Sequence, residues 1–472
     1  MLASVCAAWV VGGEALAQGT GGGAGGGSGP IDYPIPATAG QAYSPIGEGF
    51  ESPTDPRDDL KGPAPLVDDR RTEIRAARSG LETLNPFFRD TELTLNSRTY
   101  WFGEHTFGIE TPKALTTGGY LSYQSGYLAN FLQLRASLYT TQPLYANEDA
   151  GSTQNLTPDG DQITVLGQAN ARLKFSGQEL TVGRQLVRTP YINPFDVRMI
   201  PLTYEGVVLL PERRAQQPVD YTLSYLWSYK PGNTDEFIPL SEGLGVEEDE
   251  GVLITGIRHR TKFLNYGLIN YWIKDTLNTA YGEFDYTFPF GGTDGAPALR
   301  IGVNDLDQRS VGADLIENAP YETYQASVRL IVSFWNFVIT GAHSWVGTGA
   351  DIRDPFGFKP TYTSMIVSSF QRAGERGYLA SLSYDFSDLG FNGLKFLVAW
   401  GKGADAVDPM TGDPLSDRDE LDFRLVFEPN SGPLVGLRGE IEYVDEHFNE
   451  TETRNNDLRQ FRAIVNYTTP LL

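Results

Sequence analysis

From about Phe87 onward the chain alternates between apolar and polar positions. Tyr324, Ala326, Val328, Leu330, Val332 and Phe334 share one face, and Gln325, Ser327, Arg329, Ile331 and Ser333 share the other. Leu421, Phe423, Leu425 and Phe427 stand against Asp422 and Arg424 in the same way. A third run sets Ile163, Val165, Ala169, Ala171, Leu173 and Phe175 against Thr164, Gln168, Asn170, Arg172 and Lys174. A period of two is the signature of strands with one apolar and one polar face.

The breaks between strands take turns in length. Short ones fall at Ala129, Ser176-Gly177, 211–218, Trp335-Asn336, 387–392 and 429–433. Long ones fall at 141–162, 188–202, 230–250, 347–375, 403–417 and 447–456. One tight reversal, near Asp275 to Leu277, departs from this parity. Short turns on one side and long loops on the other predict a transmembrane barrel. The count is about 18 strands, from near Thr91 to near Tyr467, with Met365–Phe370 assigned to a loop because a further strand would break the alternation. No run approaches the roughly 18 apolar residues of a membrane helix, so a spanning structure has to be a closed barrel. The predicted class is all-β: an antiparallel transmembrane barrel with a disordered N-terminal extension. Tyr100, Trp101, Phe102, Trp227, Tyr229, Tyr271, Trp272, Phe288 and Phe290 sit near strand ends and are expected to form aromatic girdles.

Three segments follow. Residues 1–17 read as a signal peptide, ending in the small-residue pattern Ala15-Leu16-Ala17 without a basic start. Residues 18–85 are a Gly- and Pro-rich extension, with one or two helical turns expected in 68–80. Residues 86–472 are the barrel. Cys6 is the only cysteine, so disulfides and cysteine metal sites are excluded after cleavage. The formal net charge of -23 excludes nucleic acid as a partner, and the four scattered histidines lack ligand spacing. No cofactor and no metal is expected.

The polar faces carry Arg135, Arg172, Lys174, Arg258, Arg260, Lys262, Arg329, Lys395, Arg424, Arg438 and Arg462, against fewer acids, Asp422, Glu440 and Glu442. An acidic protein is thus expected to have a basic lumen, which would concentrate anions. The run GRQLVRTPYINPFDVRMIPLTYEG, 183–206, carries Pro190, Pro194 and Pro201 and cannot stay in a sheet. It falls at the third long connection, where folding into the lumen would narrow an otherwise wide pore.

The same run, and FFRDTELTLNSRTYWFGE at 87–104, resemble the outer membrane porin D family of substrate-specific, 18-stranded Gram-negative porins. The opening-strand match lies in Asp90 and in Arg98, Thr99, Tyr100, Trp101 and Phe102. The resemblance covers roughly 86–467. It implies monomers inserted by the barrel assembly machinery, with third and seventh loops folded inward and a ladder of basic residues guiding carboxylate solutes. The constriction is then expected at Arg184, Arg188, Tyr191, Asp196 and Arg198, facing Asp351, Arg353 and Asp354. The partners the resemblance implies are small anionic or zwitterionic solutes and outer-membrane lipid. Two features depart from the family pattern: the long extension, and an end in TTPLL where the family has an aromatic, with Tyr467 expected to end the last strand. The alternatives are a general diffusion porin, an adhesive barrel or a β-rich hydrolase; no catalytic constellation supports the last.

Overall fold

The computed structural model describes residues 80–472, apart from 82, 107–110, 213–218, 291–296, 317–318, 358–359 and 449–456. The expected signal peptide, and the extension up to residue 79 with its helical turns, lie outside the described residues. The strands are β1 Glu92–Thr106, β2 Lys113–Gln124, β3 Leu132–Ala146, β4 Ile163–Phe175, β5 Gln178–Gln185 and β6 Thr203–Pro211. Next come β7 Val219–Lys230, β8 Ile238–Pro239, β9 Val252–Arg260, β10 Leu264–Ile273, β11 Leu277–Pro289 and β12 Ala298–Ser310. The last are β13 Glu322–Phe334, β14 Phe337–Val346, β15 Arg376–Asp385, β16 Leu394–Ala404, β17 Arg418–Phe427, β18 Leu437–Phe448 and β19 Leu458–Pro470. All 19 belong to one sheet, but β8 is a two-residue strand inside a loop, and β7 pairs directly with β9. The other eighteen are the staves of a closed antiparallel barrel.

Closure runs from Thr94↔Pro470 to Thr106↔Leu458 between β1 and β19, which leaves no unpaired edge. β19 therefore continues past Tyr467. Beyond it, Leu471 N donates to Leu93 O at 2.6 Å. The expected tail is thus part of the seam, because Thr468, Thr469 and Pro470 find partners on β1. A four-residue helix, α1 Pro86–Arg89, leads into β1, with the Asn85 side chain accepting from Phe87 N and proline at its start. Ser176 and Gly177, at φ 48° and 75°, make the tight turn between β4 and β5 that a right-twisted hairpin favours.

The alternation reads out as expected over most of the wall. Leu330 is 49% exposed on the outer face, whereas Gln325, Ser327 and Arg329 are buried on the inner one. One stretch departs from it. The β3–β4 register shifts at Ser137/Leu138, leaving Gly167 unpaired between Leu166 and Gln168. That bulge turns Ile163 and Val165 inward, onto the face of Gln168 rather than that of Ala169. The aromatic girdle also divides. Trp227, Trp272, Phe288 and Phe290 are exposed, but Tyr100, Phe102, Tyr229 and Tyr271 are buried within the barrel.

Tyr100 and Phe102 on β1 are buried beneath Met199 and Ile200 of the third loop, and Tyr229 and Tyr271 because the loops fill the opposite side of the lumen. Inner-wall residues of β6 to β12, among them Tyr204, Leu226, Ile254 and Leu306, pack with Tyr191 and Ile192, with Leu240 and Leu244, and with Ile352 and Phe356. These pairs come from the connections 186–202, 231–251 and 347–375. The polar side of the lumen, over β16 to β19 and β1 to β5, carries most of the charge.

Candidate functional site

The third loop, 186–202, leaves the wall after Gln185 and returns at Thr203. Its prolines keep it out of any ladder, and Leu202 N closes it by donating to Pro194 O at 2.7 Å. Tyr191 and Ile192 at its turn are buried, and Thr189 N and Oγ1 both donate to Ile192 O at 2.8 Å.

Tyr191 is where this loop meets the seventh, 347–375. Its Oη donates to Arg353 O at 2.6 Å, and its ring stands edge-on to Phe356 at 5.8 Å. Gln308 on β12 clamps the same carbonyl, donating to Arg353 O at 2.7 Å and accepting from Arg353 N at 3.0 Å. Asn193 N donates to Phe356 O at 3.1 Å, and Tyr204 Oη lies within bonding distance of both Asn193 O and Phe356 O. Burial first, then the charge of Asp354, lifts the Tyr191 hydroxyl well above its usual pKa, so it remains a neutral donor.

Asp196 is not a free acceptor. Arg98 on β1 grips it with two parallel bonds, at 2.6 and 3.0 Å, and donates as well to Arg198 O and Met199 O. Arg98 is in turn fixed by Asn466 Oδ1 at 2.7 Å. The Arg198 side chain has no such acid among the described residues. It reaches Val197 O at 3.4 Å and lies 5.1 Å over the Phe102 ring, the ring that Arg462 approaches at 5.6 Å. Burial, and the like charge of Arg462, hold the Arg198 pKa below its usual value; an arriving anion would relieve the second of these. Arg188 is 7% exposed, beside Tyr120 and Tyr139, and has no acid at ion-pair distance among the described residues.

The other expected constriction residues divide. Arg353 lies 5.4 Å over the Tyr321 ring. Asp351 Oδ1 accepts from Ala373 N at 2.6 Å, stapling the two limbs of the seventh loop together. Arg184 does not join them. It shares the outer face of β5 with Val182 and pairs with Glu205, directly opposite on β6, at 3.3 Å. Strand parity places it there: in β5 the inner positions are Glu179, Thr181 and Gln185.

Along the inner wall the expected ladder carries more acid than the sequence reading assigned. Arg172 pairs with Glu179 at 3.7 Å, Arg258 with Asp220 at 3.2 Å and Arg329 with Asp285 at 2.9 Å. Lys174 pairs with Glu212 at 3.2 Å and Lys395 with Asp385 at 3.7 Å. Arg424 holds both Glu440 and Glu442, Arg438 holds Glu428 and Glu440, and Arg462 holds Glu442 at 3.3 Å. Arg135 hydrogen-bonds Gln124 at 2.5 Å and lines a recess with Arg172, Glu179 and Gln185. Arg260 ends β9, half-buried, and Lys262 sits exposed in the turn after it, away from the strand face expected of it. The inward acids not expected from the sequence pattern include Glu179, Asp220 and Asp285, and also Glu420 on β17 and Glu446 on β18. Arg98 was visible in its motif, but its partner could not be.

Among the described residues no group of histidine, cysteine or carboxylate side chains could hold a metal ion. The arrangement packs the third loop on the seventh at the buried Tyr191–Phe356 junction and leaves Arg198 and Arg188 without an acid at ion-pair distance among the described residues.

The sequence pattern of an outer membrane porin family, OprD, matches residues 85–471. A search among curated protein sequences finds no match. Solved structures do match. OccK9 (OpdG) of Pseudomonas aeruginosa superposes with a TM-score of 0.72 at 22% identity, covering 82% of this chain and 100% of that one. OpdK from the same organism, in a structure with vanillate, gives 0.70 at 21%, covering 81% and 100%. A BenF-like porin from Pseudomonas fluorescens gives 0.71 at 15%, covering 82% and 100%.

Proposed function

Because the chain belongs to the OprD family of outer membrane porins, a channel in the outer membrane of a Gram-negative bacterium and not an enzyme, we propose that it takes up small carboxylate-bearing solutes through a constricted, locally cationic lumen. Solute runs down its gradient, and nothing is chemically transformed. The observation that carries the reading is the asymmetry of the third loop: its one acid, Asp196, is neutralised by Arg98, whereas Arg188 and Arg198 have no acidic partner among the described residues. A cation held in a low-dielectric aperture attracts anions and steers them inward. Paired rungs such as Arg424 with Glu440 carry little net charge, so the selective charge resides at the aperture more than along the whole ladder. A relative crystallised with vanillate, an aromatic carboxylate, is consistent with the solute class. The protein is read as a monomer, inserted by the barrel assembly machinery, with its exposed outer leucines against lipid.

The test is the reversal potential of the purified protein in a planar bilayer under a salt gradient. Wild type is expected to prefer anions, and Arg198→Ala to lose a large part of that preference. Cation preference in the wild type would overturn the basic aperture.

A further inference from the structure

The far half of the seventh loop is held by an arrangement that has no part in the contacts with the third. Residues 365–368 turn tightly, with Met365 N donating to Ser368 O at 2.7 Å, and this turn points three successive N–H groups at the inner wall of β17. Ile366 N donates to Asp422 Oδ2 at 3.2 Å, Val367 N to Glu420 Oε1 at 2.8 Å and Ser368 N to Glu420 Oε2 at 2.5 Å. Ser368 Oγ donates to Glu446 on β18. Successive backbone N–H groups converging in this way form a concave anion site, filled here by the wall's own carboxylates.

Among the described residues those carboxylates have no ion-pair partner, although Glu420 and Asp422 share a hydrogen bond and Arg418 and Arg372 stand near Glu446. Glu420 and Asp422 are fully buried and Glu446 nearly so, and none pairs with a base among the described residues. The nearby guanidinium groups are engaged elsewhere: Arg372 and Arg418 on Glu375, and Arg424 on Glu440 and Glu442. Beside the bonds, Met365 and Phe370 pack on Leu379, Leu397 and Ala399. The loop is therefore strapped at three places, by Tyr191, Tyr204 and Gln308 at 353–357, by Asn304, Ser327 and Ser344 at 360–363, and by the acidic wall at 365–370.

We infer that Glu420, Asp422 and Glu446 are positioning residues of the channel: together they are the latch that keeps the distal seventh loop on the wall, and its hold sets how steadily the aperture stays open. No hydrogen bond or ion pair among the described residues joins them or the turn to the third loop; their route to the pore runs through the seventh, beside the charge field they share with Arg462. The inference rests on the channel reading above.

The test is single-channel recording in planar bilayers of wild type, Glu420→Ala, Glu420→Gln and Ser368→Ala, each shown to be folded by heat-modifiable migration in gels. Losing both backbone bonds to Glu420 should raise the frequency of transitions to subconductance levels about tenfold or more in Glu420→Ala. Glu420→Gln keeps one acceptor oxygen and should fall between Glu420→Ala and wild type. Ser368→Ala removes the Glu446 bond without touching the wall, and should give a smaller rise. Asp307→Ala, which breaks an outer-face pair with Arg309, should leave the record unchanged. Traces from Glu420→Ala and Ser368→Ala as quiet as wild type would overturn the latch while leaving the channel intact. A rise in Asp307→Ala equal to that in Glu420→Ala would overturn it too, since any lost ion pair would then suffice. A wild type that forms no pore would overturn the channel reading and the latch together.

Discussion

At the scale of single residues, the best-compensated charge outside the strands is Glu375, the last residue of the seventh loop. It is fully buried, and burial alone would favour its neutral form. Arg372 and Arg418 outweigh that. Oε1 accepts from Arg372 Nε at 3.1 Å and Nη2 at 2.7 Å and from Arg418 Nε at 3.1 Å, and Oε2 from Arg372 N at 2.9 Å and Arg418 Nη2 at 3.0 Å. The carboxyl is held below its usual pKa as a result. A depressed folded-state pKa means that the ion pairs contribute in full above the unfolded value, roughly 4.3, and that this contribution is lost as pH falls through the lower folded value. Glu375→Gln should therefore melt well below wild type at neutral pH, and the gap should close as the solution is taken below pH about 4. A gap of constant size across that range would show that the five bonds depend on shape rather than charge.

At the scale of elements, a strand face decides what can lie against it. Gly401 on β16 faces inward beneath the seventh loop, and a Cβ there would come within 2.8 Å of Met365 Cγ and Phe370 Cε2. Gly341 on β14 faces outward, with nothing within 4 Å of its Cβ position. Gly401→Val should displace both side chains and cost about 1–3 kcal/mol, whereas Gly341→Val should be nearly neutral. Thermal melts of the two variants in detergent would separate them, and equal losses would contradict the packing described. The same logic governs what could be read in advance. Period two and loop parity placed the barrel strands and the third loop from the sequence, because each strand's own residues state its faces. Ile163 and Val165 escaped that reading, since a bulge at Gly167 changes the face without disturbing the local pattern. So did Tyr229 and Tyr271, whose burial depends on loops arriving from elsewhere. The pairing of Arg98 with Asp196, 98 residues apart, belongs to the closed lumen and to neither segment alone.

At the scale of the whole molecule, the barrel inverts the usual distribution of apolar surface. Leu134, Leu138, Leu223, Ile257, Leu268, Leu330 and Val465 are exposed on the outer wall, an apolar patch no water-soluble monomer of this size would present. The interior holds a core of its own, so the two surfaces carry separate demands. The inner one needs complementary packing and paired charge, and the outer one needs only to be apolar at the depth of the hydrocarbon. Leu330 tests the distinction. It is 49% exposed on β13 and borders Gly341 on β14 and Ile301 on β12 in register. In lipid, Leu330→Phe should be tolerated, while Leu330→Arg should cost about 2–4 kcal/mol if the residue sits near the bilayer midplane. In detergent without a defined bilayer the arginine can reach water, and the penalty should shrink. Folding titrations of both variants in lipid vesicles and in micelles measure the difference. An equal penalty in the two media would mean that Leu330 is covered by protein rather than by lipid, and that the outer face has been placed on the wrong side of β13.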